Sequence, residues 1–339
     1  MSFLCRSELK LALKGKFIRN VYGFGVVAMA LFATLPAASS CRPQCPTESS
    51  AKKRTVPVTS PSPLPVLTLE RANVDCAIQP GQRFNQLQLS GLATDGQQLL
   101  VADECSGQVY EATPAPSAGT TPCRVHNLAV PPFTVGTLES IEWKNSELVY
   151  GTDATNSNER GLGHRVFAAP TLCEATGFEA VVTQGDEVYG IAEHHDERGR
   201  YPVFTSSAGK QVATDIRGDW ILQEGWSKCR ITDASRFPSK KGTLLLGSCK
   251  GAQVPWVYYL AYLPALTAGA TNAAQSVAEL RCTGAPAETD RCYPNLEGLA
   301  LIGQHVYLVA DNNQSDECEE NGNRKLDLFR LPVAALPLY

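Results

Sequence analysis

Short apolar segments separated by polar turns recur along the chain, and they predict β-strands rather than helices. The clearest example is 295–313, where a strand starting Asn-Leu-Glu-Gly-Leu-Ala turns at Gly303 and continues into a strand that ends at Asp311. Related patterns occur at 88–104 and 137–153, and weaker ones at 188–192 and 231–247. A hairpin unit that repeats at roughly 40 to 50 residues is typical of propeller blades. The sequence therefore predicts an all-β fold, a β-propeller with five or six blades of antiparallel strands.

The ends of the repeat region indicate how the propeller closes. The alternating segment 66–74 is predicted to be the first strand, and 326–332 the last. Propellers commonly pair these two strands in one blade, which removes exposed sheet edges. We therefore assign 66–339 to the propeller. One pattern competes with this assignment, because 271–280 is predicted to form a short helix. A sandwich with a separate α/β domain is disfavoured, since no amphipathic helical run of ordinary length follows any strand.

The N-terminal segment 1–40 has the features of a signal peptide, with basic residues before an apolar run at 21–35. This run is too short and too rich in Gly and Ala for a membrane span, which needs about 20 apolar residues. Residues 41–65 are rich in Pro, Ser, Thr and Lys, and are predicted to be a tether. We therefore expect export to the periplasm, the cell envelope or the extracellular space.

Cys41 follows Ala-Ser-Ser in a pattern that resembles a bacterial lipoprotein box. Two readings stay open. Cys41 is lipidated and provides the protein's contact with the membrane, or the protein is simply secreted and Cys41 pairs with Cys45.

The chain has 12 cysteines but no Cys-x-x-Cys pair. In an oxidising compartment these residues are expected to form disulfides rather than to bind zinc or act as nucleophiles. Full connectivity stays open, because spacing alone does not determine it. The short-range pairings that we predict are Cys282 with Cys292, Cys105 with Cys123, and Cys229 with Cys249.

The net charge and the absence of several sequence motifs argue against some classes of function. The formal net charge is -4, and no Lys/Arg-rich block lies in the body of the chain, so no nucleic-acid partner is expected. The sequence lacks a Gly-x-Ser-x-Gly elbow, a His-Glu-x-x-His motif, a Walker A loop and a complete dinucleotide fingerprint. We expect the partner to be a small molecule or a ligand of the cell envelope.

Polar residues at the equivalent position of each repeat are the strongest candidates for a site, because the first strand of each blade lines the channel. These residues are Ser90, Glu139, Tyr189, Asp233 and Glu297, with Glu142 close behind. Carboxylates that converge in a channel repel unless a cation separates them or their pKa values rise. Oxygen ligands suit a hard cation such as Ca²⁺. The sequence predicts a Ca²⁺ site at Ser90, Glu139, Asp233 and Glu297; alternatively, these side chains are hydrogen-bonded blade caps or face a wet channel.

A second acidic set lies at the ends of the second strands. It is expected either to form a rim or to cap turns, which is the commoner role of Asp and Asn at strand ends. The set contains Asp103, Glu104, Asp153 and Asp311 with Asn312 and Asn313. The loop 317–323 resembles part of a calcium loop but lacks the Glu that closes an EF-hand. His194 and His195 are predicted to lie in a polar turn.

The motifs at 89–93, 138–141 and 295–300 give the chain a family resemblance. With their Leu-Ser-Gly-Leu, Leu-Glu-Ser-Ile and Leu-Glu-Gly-Leu patterns, they resemble the phytase-like propeller family named for the esterase-like activity of phytases. They are also similar to the soluble calcium-activated nucleotidases and the lactonase or paraoxonase-like propellers, which use a channel calcium. The resemblance implies Ca²⁺-dependent hydrolysis of an ester or phosphoester, with the ion on the four residues named above.

Two departures limit this resemblance. Tyr189 does not fit the ligand pattern, and no cluster of Lys and Arg for phosphate lies near the motifs. The alternative is a non-catalytic propeller that binds a cell-envelope ligand and holds a structural metal, so the sequence leaves open whether the protein is an enzyme.

Overall fold

The computed structural model describes most of the region assigned to the propeller. The described residues are 63–73, 89–104, 107–112, 123–126, 137–153, 159–163, 165–168, 177–196, 198–207, 210–222, 226–237, 241–251, 257–282, 295–311 and 327–338. The predicted signal peptide, Cys41 and nearly all of the tether lie outside them. Among the described residues, no helix has both the length and the apolar character needed to cross a membrane.

The regular secondary structure of the described residues consists of twenty strands and two short 3-10 turns, at Asp219–Leu222 and Val333–Ala335. The predicted all-β class is therefore confirmed. Within the described residues the strands form five units of four, each an antiparallel meander. The first unit is β2 (Leu89–Thr94), β3 (Leu99–Asp103), β4 (Gln108–Ala112) and β5 (Cys123–His126). The second is β6 (Thr137–Lys144), β7 (Glu147–Asp153), β8 (Glu159–Gly163) and β9 (Arg165–Ala168). The third is β10 (Phe178–Gln184), β11 (Glu187–Ala192), β12 (Arg200–Thr205) and β13 (Lys210–Gly218).

The fourth unit is β14 (Trp226–Phe237), β15 (Gly242–Gly251), β16 (Val257–Leu263) and β17 (Thr271–Cys282). The fifth is β18 (Asn295–Ile302), β19 (His305–Asp311), β20 (Asp327–Pro332) and β1 (Val66–Asn73), so the first strand of the chain completes the last unit. β1 and β20 are antiparallel, with Glu70 opposite Arg330. The predicted closure by the first and last strands is confirmed.

The hydrophobic core is divided among the interfaces between consecutive units. Five clusters of buried apolar residues occupy these interfaces, and one of them joins the fifth unit to the first through Val309 and Leu92. The first strands also contact one another in the cyclic order β2, β6, β10, β14, β18 and back to β2. Each sheet is therefore covered on both faces, which explains why β3 is an unbroken apolar run whose five residues are all buried. The units pack in a ring, and the first strands line its axis.

The outer strands of the third, fourth and fifth units are joined by hydrogen bonds. β17 pairs in parallel with β13 through Asp215 and Thr271, and with β1 through Val66 and Glu279. These three units form one 12-stranded sheet along the rim, whereas the first and second units are separate four-stranded sheets.

Two sequence predictions are wrong in detail. The segment 271–280 is not a helix but most of strand β17, which gains two parallel partners that local periodicity does not reveal. The segment 188–192 is the second strand of its unit, β11, rather than the first.

The predicted disulfide between Cys229 and Cys249 is present and joins β14 to β15. The other two predicted pairs involve residues outside the described ones.

Candidate functional site

All five channel-lining strands carry a β-bulge at the same place. In each strand the register against the second strand shifts by one residue: between Leu89 and Gly91, Leu138 and Ser140, Phe178 and Ala180, Ile231 and Asp233, and Leu296 and Gly298. The extra residue in each bulge is therefore Ser90, Glu139, Glu179, Thr232 or Glu297. Bulges leave one residue unpaired and redirect its side chain, and they are frequent beside functional sites. We call these five residues the bulge ring.

Close approach of neighbouring first strands explains the small residue that follows most bulges. A Cβ placed on Gly91 would lie 3.0 Å from the Cα of Ser140 and 3.1 Å from the backbone nitrogen of Ile141, so no side chain fits there without a shift. On the other side of β6, the hydroxyl of Ser140 donates a hydrogen bond to the carbonyl of Phe178 in the third unit. The Glu-Gly and Glu-Ser pairs of the sequence are therefore packing signatures of the ring.

The two hydroxyl-bearing members of the bulge ring connect neighbouring units. Ser90 donates a hydrogen bond to the carbonyl of Leu138, and Thr232 donates one to the carbonyl of Leu296 at 3.1 Å. Each acceptor is the residue directly before the next bulge. The hydroxyl oxygens keep lone pairs that could face a ligand.

The three glutamates of the bulge ring are close enough to influence one another. Burial raises the pKa of Glu179 well above its usual value, and the negative charges of Glu139, Glu193 and Glu297 raise it further, while Arg230 opposes them. No hydrogen-bond donor among the described residues reaches the Glu179 carboxylate. Three carboxylates therefore converge from three different units, and one of them is poorly compensated.

Arg230 places a positive charge at this end of the channel. Its Nη2 donates to Oε1 of Glu297 and its Nη1 to Oε1 of Glu193, both at 3.0 Å, and its Nε donates to Oγ of Ser248. The side chains of Arg230 and Glu297 are 17% and 11% exposed, so both ion pairs are shielded from solvent. Burial lowers the pKa of Arg230, but Glu297 and Glu193 outweigh it and keep the guanidinium charged.

The backbone of Arg230 is fixed by a buried aromatic cluster. Tyr259 donates its hydroxyl to the Arg230 carbonyl at 3.0 Å, and Tyr201 donates to the carbonyl of Cys229 at 3.2 Å. Trp220 donates its indole N–H to the Tyr201 hydroxyl, and Ile231 donates its N–H to the Glu193 carbonyl. These contacts come from the third and fourth units, so the position of the guanidinium depends on their packing.

Asp233 lies one residue beyond the bulge, and its contacts agree with the alternative expectation of a hydrogen-bonded side chain rather than with a metal ligand. Its Oδ2 accepts hydrogen bonds from the backbone nitrogens of Leu299 at 2.6 Å and Leu92 at 3.3 Å, and its Oδ1 accepts one from Ala234. Burial raises the pKa of Asp233 well above its usual range, although these three donors oppose the shift. The side chain is completely buried and joins the fourth unit to the fifth and the first.

The assignment of Tyr189 to the set of equivalent residues is wrong. Tyr189 lies on the second strand of its unit, opposite Val182, and packs in the apolar interface with the fourth unit. The residue at the bulge is Glu179, which the sequence analysis missed. A signal was available, since Phe178-Glu-Ala-Val has the same apolar, Glu, small, apolar order as Leu138-Glu-Ser-Ile. Likewise, Thr232 rather than Asp233 occupies the bulge of β14.

The ends of the second strands form a further layer at the same end of the channel. Asp153 pairs with Thr137, and Asp311 with Asn295, two residues before the bulge. Glu193 follows Ala192, whose partner Phe178 directly precedes the bulge, so Glu193 occupies the corresponding place in the third unit. In the fourth unit Ser248 lies there, opposite Arg230. Backbone pairing thus places Asp153, Asp311 and Glu193 at corresponding positions of their units, and the acidic rim stays a prediction. In the first unit, Asp103 pairs with Leu89, which is one residue before the bulge rather than two, and its side chain is buried.

Two further ionisable side chains, His194 and Glu142, lie outside the bulge ring. His194 is part-exposed, and its Nε2 lies 3.4 Å from Oε2 of Glu193 at the mouth. Glu142 lies three residues beyond the bulge of β6 and accepts a hydrogen bond from the Trp143 backbone. Burial raises the pKa of Glu142 to about 7, against the opposing effects of that bond and of Arg236.

Within the part of the chain that the structure describes, no three His, Cys, Asp or Glu side chains are already arranged as a metal centre. The bulge ring nevertheless has the donor chemistry of a site for a hard cation: three carboxylates and two hydroxyls, with no nitrogen or sulfur. The region also offers carboxylates and a part-exposed histidine for proton transfer. These properties define a polar, predominantly acidic site at one end of the channel of a β-propeller.

No family model and no curated protein matches the chain. Among solved structures, it is similar to the PQQ-bound form of aldose sugar dehydrogenase from Streptomyces coelicolor, with 13% identity, a TM-score of 0.38, and coverage of 74% of this chain and 98% of that chain. It is also similar to an α-L-arabinofuranosidase from Podospora anserina in complex with cellotriose, with 11% identity, a TM-score of 0.42, and coverage of 80% and 99%. A luciferin-regenerating enzyme matches with 10% identity, a TM-score of 0.36, and coverage of 75% and 94%. Similarity at this level carries no inference about the function of this chain.

Proposed function

We propose that this propeller binds Ca²⁺ at the bulge ring and hydrolyses an ester or phosphoester at the adjacent mouth of its channel. The ligands would be the carboxylates of Glu139, Glu179 and Glu297 with the hydroxyls of Ser90 and Thr232. This set keeps three of the four residues predicted from sequence. It replaces Asp233, which is occupied by three backbone donors, with the two bulge residues that the sequence did not place.

The environment of Glu179 carries the proposal. Its carboxylate is surrounded by the charges of Glu139, Glu193 and Glu297, and among the described residues it has no hydrogen-bond donor. Partly buried carboxylates in this situation either stay protonated or take up a cation. A divalent cation would relieve the repulsion among all three glutamates of the ring at once, which a single proton on Glu179 does not do.

The donor types support calcium over a transition metal. Ca²⁺ takes six to eight oxygen ligands in flexible geometry, so side chains on five separate strands can adjust to it. A bound Ca²⁺ would supply charge stabilisation for a polarised ester or phosphoryl oxygen. The chain's own contribution would be to position the ring through the five bulges and to place Glu193 and His194 beside the mouth, where they could hold or transfer a proton.

The hydrolytic part of the proposal is supported by the resemblance of the repeat motifs to phytase-like propellers. A non-catalytic propeller with a structural ion is the second candidate. It is favoured by the hydrogen bonds through which Ser90 and Thr232 already connect neighbouring units, because a metal at that level would reinforce the same connections. In that case the ligand would be a molecule of the cell envelope.

Calorimetric titration of the full chain with Ca²⁺ tests the ion site. We expect saturable binding by the wild type and its loss in the Glu139→Gln, Glu297→Gln double variant. Asp186→Asn is the matched control, because it removes a carboxylate from an exposed hairpin turn. Absence of binding by the wild type would overturn the site.

A panel of ester, lactone and phosphoester substrates, assayed with and without a chelator, tests the chemistry. Hydrolysis that the chelator and the double variant both abolish supports the hydrolase. Ca²⁺ binding without hydrolysis of any substrate favours the binding propeller instead.

We further propose that the protein is exported, with or without a lipid on Cys41. The disulfide between Cys229 and Cys249 supports an oxidising compartment. Mass spectrometry of the protein purified from its native host distinguishes the two forms. A diacylglyceryl adduct on an N-terminal Cys41 would identify the lipoprotein, and an unmodified mature N-terminus would identify the secreted protein.

A further inference from the structure

Arg230 holds two of the carboxylates at the channel mouth, and one of them, Glu297, belongs to the bulge ring. At the corresponding place before the bulge, the second unit has Thr137 and the fifth has Asn295, both uncharged. The fourth unit therefore adds a positive charge where these units have a neutral polar residue. This charge lies beside an acidic ring and is bonded to one of its members.

We propose that Arg230 is a tethered counter-cation that competes with the bound ion for Glu297 and so sets the affinity of the bulge ring. This inference rests on the proposed cation site. Without the ion, the single positive charge of the guanidinium is shared between Glu297 and Glu193. When a cation takes Glu297 as a ligand, the ion pair with Arg230 weakens, and the free energy lost from that pair reduces the free energy of cation binding.

The geometry favours competition over simple support. Nη2 of Arg230 donates to Oε1 of Glu297 in a shielded pair at 3.0 Å, so a fixed positive charge lies within hydrogen-bond distance of a ring carboxylate. This charge repels a cation whichever oxygen of Glu297 the cation takes. Glu193 moderates this competition, since its Oε1 accepts from the other terminal nitrogen of the same guanidinium. Glu193 and Glu297 therefore compete for the same guanidinium, and the bond to Glu193 weakens the hold of Arg230 on Glu297.

In this arrangement, substitution of Arg230 and substitution of Glu193 change the affinity for Ca²⁺ in opposite directions. Arg230→Gln frees Glu297 and removes a positive charge, so Ca²⁺ should bind at least tenfold more tightly. Glu193→Gln removes one of the two described ion pairs of Arg230 and keeps the one with Glu297, so Ca²⁺ should bind severalfold more weakly. A purely structural role for Arg230 predicts the contrary for the first variant, because loss of the guanidinium would then disorder the ring and weaken binding.

The experiment is calorimetric Ca²⁺ titration of the full chain at one pH and ionic strength, for wild type, Arg230→Gln, Arg230→Lys and Glu193→Gln. Arg200→Gln is the matched control. It also removes an arginine bonded to two carboxylates, Asp196 and Asp215, but none of the three is a bulge-ring residue. Its affinity should stay within twofold of the wild type. Arg230→Lys retains the charge but cannot hold both glutamates with one planar fork, so its affinity should lie between those of wild type and Arg230→Gln.

The outcomes separate the two proposals. Saturable binding by the wild type with no gain in Arg230→Gln would overturn the role of Arg230 and leave the ion site intact. Absence of binding in the wild type and in every variant would overturn both. If Arg230→Gln does not fold, as judged by circular dichroism, Arg230→Lys and Glu193→Gln decide. The inference fails if their affinities do not change in opposite directions.

Discussion

Asp233 Oδ2 lies 2.6 Å from the backbone nitrogen of Leu299 and also accepts a hydrogen bond from Leu92, so one carboxylate connects strands of three units. This relationship separates two kinds of acidic residue in the channel. The glutamates at the bulges lie close enough for their charges to repel one another, whereas Asp233, one residue beyond its bulge, accepts hydrogen bonds from three backbone N–H groups. It predicts a structural role for Asp233.

Substitution of Asp233 should destabilise the whole propeller. Asn has the same shape but only one acceptor oxygen, so at least one backbone N–H would face the amide NH₂ group. Leaving buried donors unsatisfied should lower the free energy of unfolding by about 2 to 4 kcal/mol. Denaturant unfolding of Asp233→Asn measures this loss. Asp186→Asn, on an exposed turn, should change the same quantity by less than about 0.5 kcal/mol; equal effects of the two variants would refute a special role.

Glu142 should give the stability a pH dependence. Its pKa is raised by burial from 4.5 to about 7, so the folded protein binds a proton more tightly than the unfolded chain does. The associated stability is present below pH 4.5 and is lost as the pH rises through 7, by about 3 kcal/mol in total. Glu142→Gln, which has no charge to bury, should therefore gain stability relative to the wild type between pH 5 and pH 8. Parallel stability profiles for the two proteins would contradict the prediction.

The Cys229–Cys249 disulfide should contribute measurably to stability. It closes a loop with a sequence separation of 20, for which loop-closure entropy corresponds to about 3 kcal/mol. Reduction should lower the unfolding midpoint of the wild type, and without reductant the Cys229→Ala, Cys249→Ala double variant should unfold at a lower midpoint than the wild type. An unaltered wild-type midpoint in reductant, with reduction verified by mass, would exclude this contribution.

Strand β1 should be required for closure of the ring. It covers an edge of β20 and also pairs in parallel with β17, so its removal exposes both strands. A chain shortened to begin at Pro63 should unfold cooperatively, whereas one beginning at Val74 should be unfolded or aggregated. Size-exclusion chromatography and thermal unfolding compare the two. Equal stability would mean that the fifth unit does not depend on β1.

The sequence by itself determined the all-β class, the hairpin repeat, the closure by the first and last strands and one disulfide. Each of these depends on signals close together in the chain, or on a chain end that would otherwise leave an edge exposed. The sequence also identified three residues of the bulge ring, Ser90, Glu139 and Glu297, because each is followed by a small residue in a recognisable local motif. The predicted calcium remains a proposal.

Only the tertiary structure decided which residues share a level of the channel. Strand pairing moves every side chain to the opposite face when the register changes by one residue, so a single bulge separates Thr232 from Asp233. The same dependence on register distinguishes Glu179 on a first strand from Tyr189 on a second strand. Arg230 depends still more on the fold, because its partners, Glu193 and Glu297, come from other units that the ring brings together. Local sequence contains no information about such contacts, since they form only when the units close around one axis.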